Sequence, residues 1–187
     1  MPIEVAFEGP IAAGKTTWAQ LLAPALAAEL VLEEFATNDY LADFYQDRTR
    51  WAFPMQLWFL TVRHEQLSGL DIRSRFVADY ALLKEEVFSR MLFEGRDLRL
   101  YSKIRTQLGT TAPLPQLFVY VDADTTTLLR RIRARGRDYE AAIDARYLDN
   151  LRQHYDAAIA TSDVRVHRID TSSIDLSSET QVSHSPS

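Results

Sequence analysis

No cysteine occurs in the 187 residues, which excludes a disulfide framework, thiolate zinc sites and a cysteine nucleophile. Lysine is scarce. Of the 21 Lys and Arg residues only Lys15, Lys84 and Lys103 are lysines, so each is easier to interpret. The amino end, MPIEVAFEG, has neither a basic n-region nor a long apolar run, so no signal peptide or membrane span is expected. Positive charge is not in excess either: a net charge of −5 argues against a dedicated nucleic-acid binder. His64, His154, His167 and His184 are too scattered for a metal cluster and read as surface or packing residues. What remains is an ordinary globular composition, 47% hydrophobic and 25% charged, with the length of one domain. A cytoplasmic setting is expected.

The hydrophobic pattern alternates between two periods. Residues 3–8 (IEVAFE) read as a strand that stops at Gly9-Pro10. The spacing then predicts a helix over 15–29, with Trp18, Leu21, Leu22, Ala25 and Leu26 on one face and Pro24 kinking or shortening it. Further strands are expected at 30–34, 75–79, 116–121 and 164–169. The run 116–121 is continuously apolar after Gln116, as in a strand buried on both faces of a parallel sheet. Helices are expected over 38–45, 53–67, 82–93, 97–108 (closed by Gly109), 125–135 (capped by Asp124) and 141–160. Strands alternating with helices give a three-layer α/β sandwich over 1–170. From 171 onward the chain is serine-rich and reads as a disordered tail.

One string carries chemistry by itself. Residues 9–16, GPIAAGKT, satisfy G-x-x-x-x-G-K-[ST], between an expected strand and an expected helix. Glycines let such a loop wrap closely, so that backbone N–H groups face phosphate oxygens at a helix N-terminus. Gly9, Pro10, Ile11, Ala12, Ala13 and Gly14 form the cradle, and Lys15, Thr16 and Thr17 open the helix. Lys15 would reach the β- and γ-phosphates and the Thr16 hydroxyl would hold Mg²⁺. No guanine-reading N-K-x-D string occurs, and FVYVD at 118–122 is followed by Ala123 rather than a second acid. A small kinase fits this length better than a GTPase or a motor.

Five segments in order, EGPIAAGKTT, LEEFATNDYLADFYQD, RWAFPMQLWFLTVRHEQL, VADYALLKEEVF and TLLRRIRARGRDYEAAIDARYLDNL, resemble the deoxynucleoside kinase family over about residues 3–169. The likeness is greatest to bacterial deoxyguanosine and deoxyadenosine kinases. It implies a P-loop fold with a five-stranded parallel sheet, helices on both faces and an arginine-rich lid at about 131–140. It also implies transfer of the ATP γ-phosphoryl, with Mg²⁺, to the 5′-hydroxyl of a purine deoxynucleoside in nucleoside salvage. Deoxyguanosine is favoured and deoxyadenosine second. Relatives are often dimers, so a homodimer is implied, with no nucleic-acid or membrane partner.

Residue by residue, the resemblance makes Glu33 the catalytic carboxylate, at the carboxyl end of the second strand and chosen over the adjacent Glu34 by alignment. A carboxylate in hydrogen-bond reach can accept the 5′-hydroxyl proton during transfer. Asp79 matches the acid of an acid-Arg-Ser motif that helps hold Mg²⁺ and line the substrate site. Here Tyr80 and Ala81 replace the arginine and serine, leaving open which arginine neutralises the transferring phosphoryl group. In the lid string RRIRARGR, Arg131, Arg135 and Arg137 match phosphate-binding positions, with Arg131 and Arg135 catalytic in offsetting charge that builds during transfer, Gly136 would permit a bend, and Arg130 and Arg133 are expected to face solvent. Tyr45 and Glu140 match residues that hold the sugar 3′-hydroxyl, and Gln56 the amide that reads the base. Arg63, beyond it on the same helix, would pair with carboxylates near the site and help position Glu33. Trp51, Phe53, Trp58 and Phe59 are core or base-pocket walls, and Lys84 falls where many relatives carry a base-contacting acid. Two other readings stay open at this level: a nucleoside monophosphate kinase of thymidylate type, and a kinase-like subunit that binds nucleotide without turnover.

Overall fold

The computed structural model describes residues 3–108 and 112–174. Five strands, β1 (Ile3–Glu8), β2 (Glu29–Val31), β3 (Phe76–Ala78), β4 (Leu117–Asp122) and β5 (Arg165–Asp170), form one sheet in the order β2-β3-β1-β4-β5. Every pairing is parallel, so each connection is a helical crossover. The helices are α1 (Lys15–Ala25), α2 (Leu41–Gln46), α3 (Arg48–Ser68), α4 (Leu83–Leu92), α5 (Gly95–Leu108), α6 (Thr125–Arg135) and α7 (Ala145–Ala160), with a 3₁₀ turn at Asp138–Ala142. Val5, Phe7, Val119 and Val121 belong to the larger core cluster, shared with α2, α3, α4 and α7. Ile3, Ala6, Phe76, Ala78 and Phe118 form a second one with Leu67. Neighbouring residues of the same strands thus feed both cores, which is why β4 reads as an almost continuously apolar run.

The expected order of elements is the observed one, with shifted boundaries. α1 stops at Ala25 rather than at residue 29: past Pro24 the chain turns, Ala27 takes a left-handed φ of +49°, and the Ala28 amide bonds back to Ala23. Its buried face also differs from expectation. Ala19 and Ala23 are buried, Trp18, Leu22 and Leu26 flank them half-buried, and Leu21 and Ala25 are exposed. Small side chains let the helix approach the strands closely, and the larger ones spread around that contact. β2 is shorter than expected and ends at Val31, so Glu33 lies in the segment that follows it. α3 begins at Arg48, ahead of its expected start, because Asp47 caps it by accepting the Arg50 amide. α7 starts at Ala145 behind an Asp144 cap, and residues 138–142 form the separate 3₁₀ turn. α6 runs as expected behind its Asp124 cap.

The expected tail does not begin at residue 171. Thr171 is fully buried, its amide bonds to Asp122 O, and its hydroxyl bonds to Ala13 O and Asp122 O. The buried threonine ties residues 171–174 to the loop after β1, so this short segment belongs to the domain. The rest of the tail with His184, and Gly109, lie outside the described residues. Among the described residues no helix is long and apolar enough to cross a membrane.

Candidate active site

In a parallel sheet the loops at the strands' carboxyl ends converge, and ligands bind in that crevice. Here the converging segments are the loop after β1, residues 32–34 after β2 and Asp79 after β3. The loop is shaped by Gly9, whose φ is +142° and at which a Cβ would lie 2.0 Å from Val121 O. Gly14, at φ +104°, turns the chain into α1. Lys15 folds back on the loop, its Nζ donating to Gly9 O at 2.9 Å and Pro10 O at 2.7 Å. Burial first, and then the nearby Lys84 ammonium, lower the Lys15 pKa.

Asp79 joins the three segments. Its Oδ2 accepts from the Thr16 hydroxyl at 2.6 Å and its Oδ1 from the Glu33 amide at 2.8 Å. The Glu33 carboxylate is clamped by two cations. Oε1 takes Arg63 Nε at 2.7 Å and Nη2 at 2.5 Å, and Oε2 takes Lys84 Nζ at 2.6 Å. Burial alone would raise the Glu33 carboxyl, but Arg63 and then Lys84 outweigh it and hold the pKa at about 2. Arg63 Nη1 also binds Glu85 Oε1 at 2.5 Å, and Glu85 accepts the Tyr101 hydroxyl. Arg63 therefore links two acids, as expected of it, from a side chain that is only 4% exposed.

Gln56 stands two turns before Arg63 on α3, almost fully buried, with an Oε1 that has no hydrogen-bond partner among the described residues. A buried acceptor without a donor is costly unless a ligand supplies one. Tyr45 is buried with its ring stacked on Tyr139 at 5.9 Å, beside the 3₁₀ turn that carries the buried Glu140. Glu140 binds Arg135 at 2.6 Å and Arg137 at 3.3 Å, and the Arg137 guanidinium lies 4.3 Å from the Phe35 ring centre. Arg131 lies apart from this pair: it donates to Thr171 Oγ1 at 2.9 Å, Thr171 O at 2.6 Å and Ile174 O at 2.9 Å. Arg130 and Arg133 are exposed. Trp51 and Trp58 pack half-buried against the larger core. Phe53 packs on Phe93 and Tyr101, and the Phe59 ring lies under Arg63 at 4.2 Å.

Three participants in this cluster are not assigned to it by sequence reasoning. Lys84 reaches Glu33 rather than a base pocket. Glu85 is the second acid on Arg63. Glu8 is fully buried, accepts the Ala81 amide at 2.9 Å and the Tyr155 hydroxyl at 3.1 Å, and has a pKa raised by burial. Only Lys84 carries a signal in the sequence, the rarity of lysine.

The glycine loop on a parallel sheet, with a carboxylate and its cations beside it, defines a P-loop phosphotransferase. The sequence model of the deoxynucleoside kinase family matches residues 5–185. Deoxyguanosine kinase of Bacillus subtilis (strain 168) is 35% identical over 162 residues, spanning 83% of this chain and 77% of that protein. Deoxyadenosine kinase of Dictyostelium discoideum is 34% identical over 157 residues, spanning 81% of this chain and 64% of its own length. Among solved structures, deoxyadenosine kinase from M. mycoides with bound dATP superposes with a TM-score of 0.81 at 23% identity, covering 94% of each chain. The chain belongs to the deoxynucleoside kinase family, and is an enzyme that phosphorylates a nucleoside.

Proposed function

We propose that this kinase transfers the γ-phosphoryl group of ATP to the 5′-hydroxyl of a purine deoxynucleoside, deoxyguanosine in preference to deoxyadenosine, as a cytoplasmic homodimer in nucleoside salvage. The observation that carries the reading is the Glu33 carboxylate, ionised and fixed beside the phosphate loop through Asp79. The purine preference is supported by relatives named as deoxyguanosine and deoxyadenosine kinases. The unpaired Oε1 of Gln56 supports a nucleoside substrate, as an acceptor for the donor that every base edge carries, and does not by itself select a purine.

In this reading the 5′-oxygen attacks the γ-phosphorus, the O5′–P bond forms and the bond to the bridging oxygen breaks. The electron pair leaves with ADP and the hydroxyl proton passes to Glu33. Residues 9–17 bind the donor phosphates, and Lys15 exchanges the Gly9 and Pro10 carbonyls for β- and γ-phosphate oxygens. Thr16 and Asp79 offer two hard oxygen donors 2.6 Å apart, which suit Mg²⁺ that keeps most of its water. Held there by Thr16 and Asp79, the ion would offset negative charge on the donor phosphates. Tyr45 and Glu140 hold the sugar 3′-hydroxyl, so that binding substrate loosens Glu140 from Arg135 and Arg137 for phosphate contact. Arg131 ties the base of the lid to the phosphate loop through the carbonyls of Ala12 and Ala13. Residues 131–140 are the lid of a domain spanning 1–170, extended here by residues 171–174.

The test is transfer from γ-labelled ATP, with Mg²⁺, to the four deoxynucleosides and in parallel to their four monophosphates. Label in deoxyguanosine monophosphate, with less in the adenine product, is expected. Label only in diphosphates would move the chain's activity to monophosphates.

A further inference from the structure

Tyr80 and Ala81 put no cation after Asp79: Tyr80 is fully buried with its hydroxyl on Gln66, and Ala81 is held by Glu8 through its amide. That pinned turn launches α4, and the first turn of α4 carries Lys84 to the site. The Lys84 side chain is 7% exposed, and its Nζ sits 2.6 Å from Glu33 Oε2. An ammonium has three N–H donors. Glu33 is the one acceptor Lys84 meets among the described residues, so two donors of a nearly buried cation have no partner there. Arg63 is different, because Glu33 and Glu85 share it.

We propose that Lys84 is a catalytic residue, whose ammonium, seated on Glu33, donates to the phosphoryl group in flight and neutralises its charge. This rests on the phosphoryl-transfer reading above. The charge change makes the role specific. When the 5′-hydroxyl proton reaches Glu33, the carboxylate becomes neutral and Lys84 loses its anionic partner. At that moment the phosphoryl group approaches the same 5′-oxygen, and the freed ammonium meets its non-bridging oxygens. The protein holds the cation ready before reaction, so little reorganisation is required at the transition state. Lysine suits the position because it is a compact point charge, whereas the planar arginine fork suits a bidentate partner.

The experiment measures kcat, KM and, by calorimetry, deoxyguanosine affinity for wild type, Lys84→Met and Lys84→Arg. Loss of a donor to transition-state charge lowers kcat about 10²–10³-fold. We expect that loss in Lys84→Met with nucleoside affinity within about threefold of wild type, and recovery of much of it in Lys84→Arg, which restores the charge. If Lys84→Met does not fold, Lys84→Ala with added methylamine serves instead, with turnover rising with amine concentration. Lys84→Met with near-wild-type kcat, a loss confined to nucleoside affinity, or no response of Lys84→Ala to amine would overturn the proposal. Failure of the wild-type enzyme to phosphorylate any deoxynucleoside would instead remove the reading on which it rests.

Discussion

The Thr16 hydroxyl donates to Asp79 Oδ2 at 2.6 Å, joining the first turn of α1 to the end of β3 across 63 residues of sequence. The other oxygen of the same carboxylate holds the Glu33 amide. One side chain therefore sets the spacing between the phosphate loop and the proposed proton acceptor.

Asp79→Asn keeps the shape but removes the charge and turns one oxygen into a donor. Turnover should fall by at least about tenfold and the Mg²⁺ concentration for half-maximal rate should rise, since a carboxylate is the harder, charged ligand. A magnesium titration of initial rates checks this. An unchanged magnesium requirement would remove Asp79 from the metal's ligand set.

Arg63 is the centre of a buried ion cluster, with Glu33 15% and Glu85 1% exposed at their side chains. Removing one partner of a buried pair leaves an uncompensated charge, at a cost of about 3–5 kcal/mol. Arg63→Met should lose stability in that range by urea denaturation, and a loss below about 1 kcal/mol would mean that water or Lys84 compensates the two acids.

Acid sensitivity follows from the same cluster. The Glu33 pKa falls from an ordinary 4.5 to about 2 in the fold. The folded state thus binds this proton more weakly than the unfolded chain does. Its stabilising effect is complete above the unfolded value and is lost as pH falls toward the folded one. Urea stability of the wild type should therefore drop between about pH 4.5 and pH 2, and Glu33→Gln should show a shallower drop over the same interval. Equal slopes in the two proteins would mean that Glu33 is not held ionised.

What is legible in the sequence is ruled by local physics. The phosphate loop is a short string whose glycines take left-handed or otherwise positive φ, and α6 begins where an aspartate can cap it. Asp79, Glu33 and Arg63 are accessible as site candidates through resemblance, but their mutual bonds join the ends of β2 and β3 to α3 and have no local signature. The face that α1 buries departs from its apolar stripe because closeness to the sheet selects Ala19 and Ala23 over larger residues. Residues 171–174 carry the polar composition of a tail, yet Thr171 is buried because its hydroxyl and amide find partners on Ala13 and Asp122. Lys84 is the least legible, since only the path of α4 brings it to Glu33.

The most direct measurement is the turnover of Glu33→Gln with deoxyguanosine, ATP and Mg²⁺, together with its affinity for ATP. Glutamine keeps the side chain's size but cannot take the 5′-hydroxyl proton as a carboxylate does. General-base assistance contributes about 10²–10⁴-fold, so turnover should fall by that order with ATP affinity little changed. Near-wild-type turnover would contradict the assignment of Glu33 as the proton acceptor.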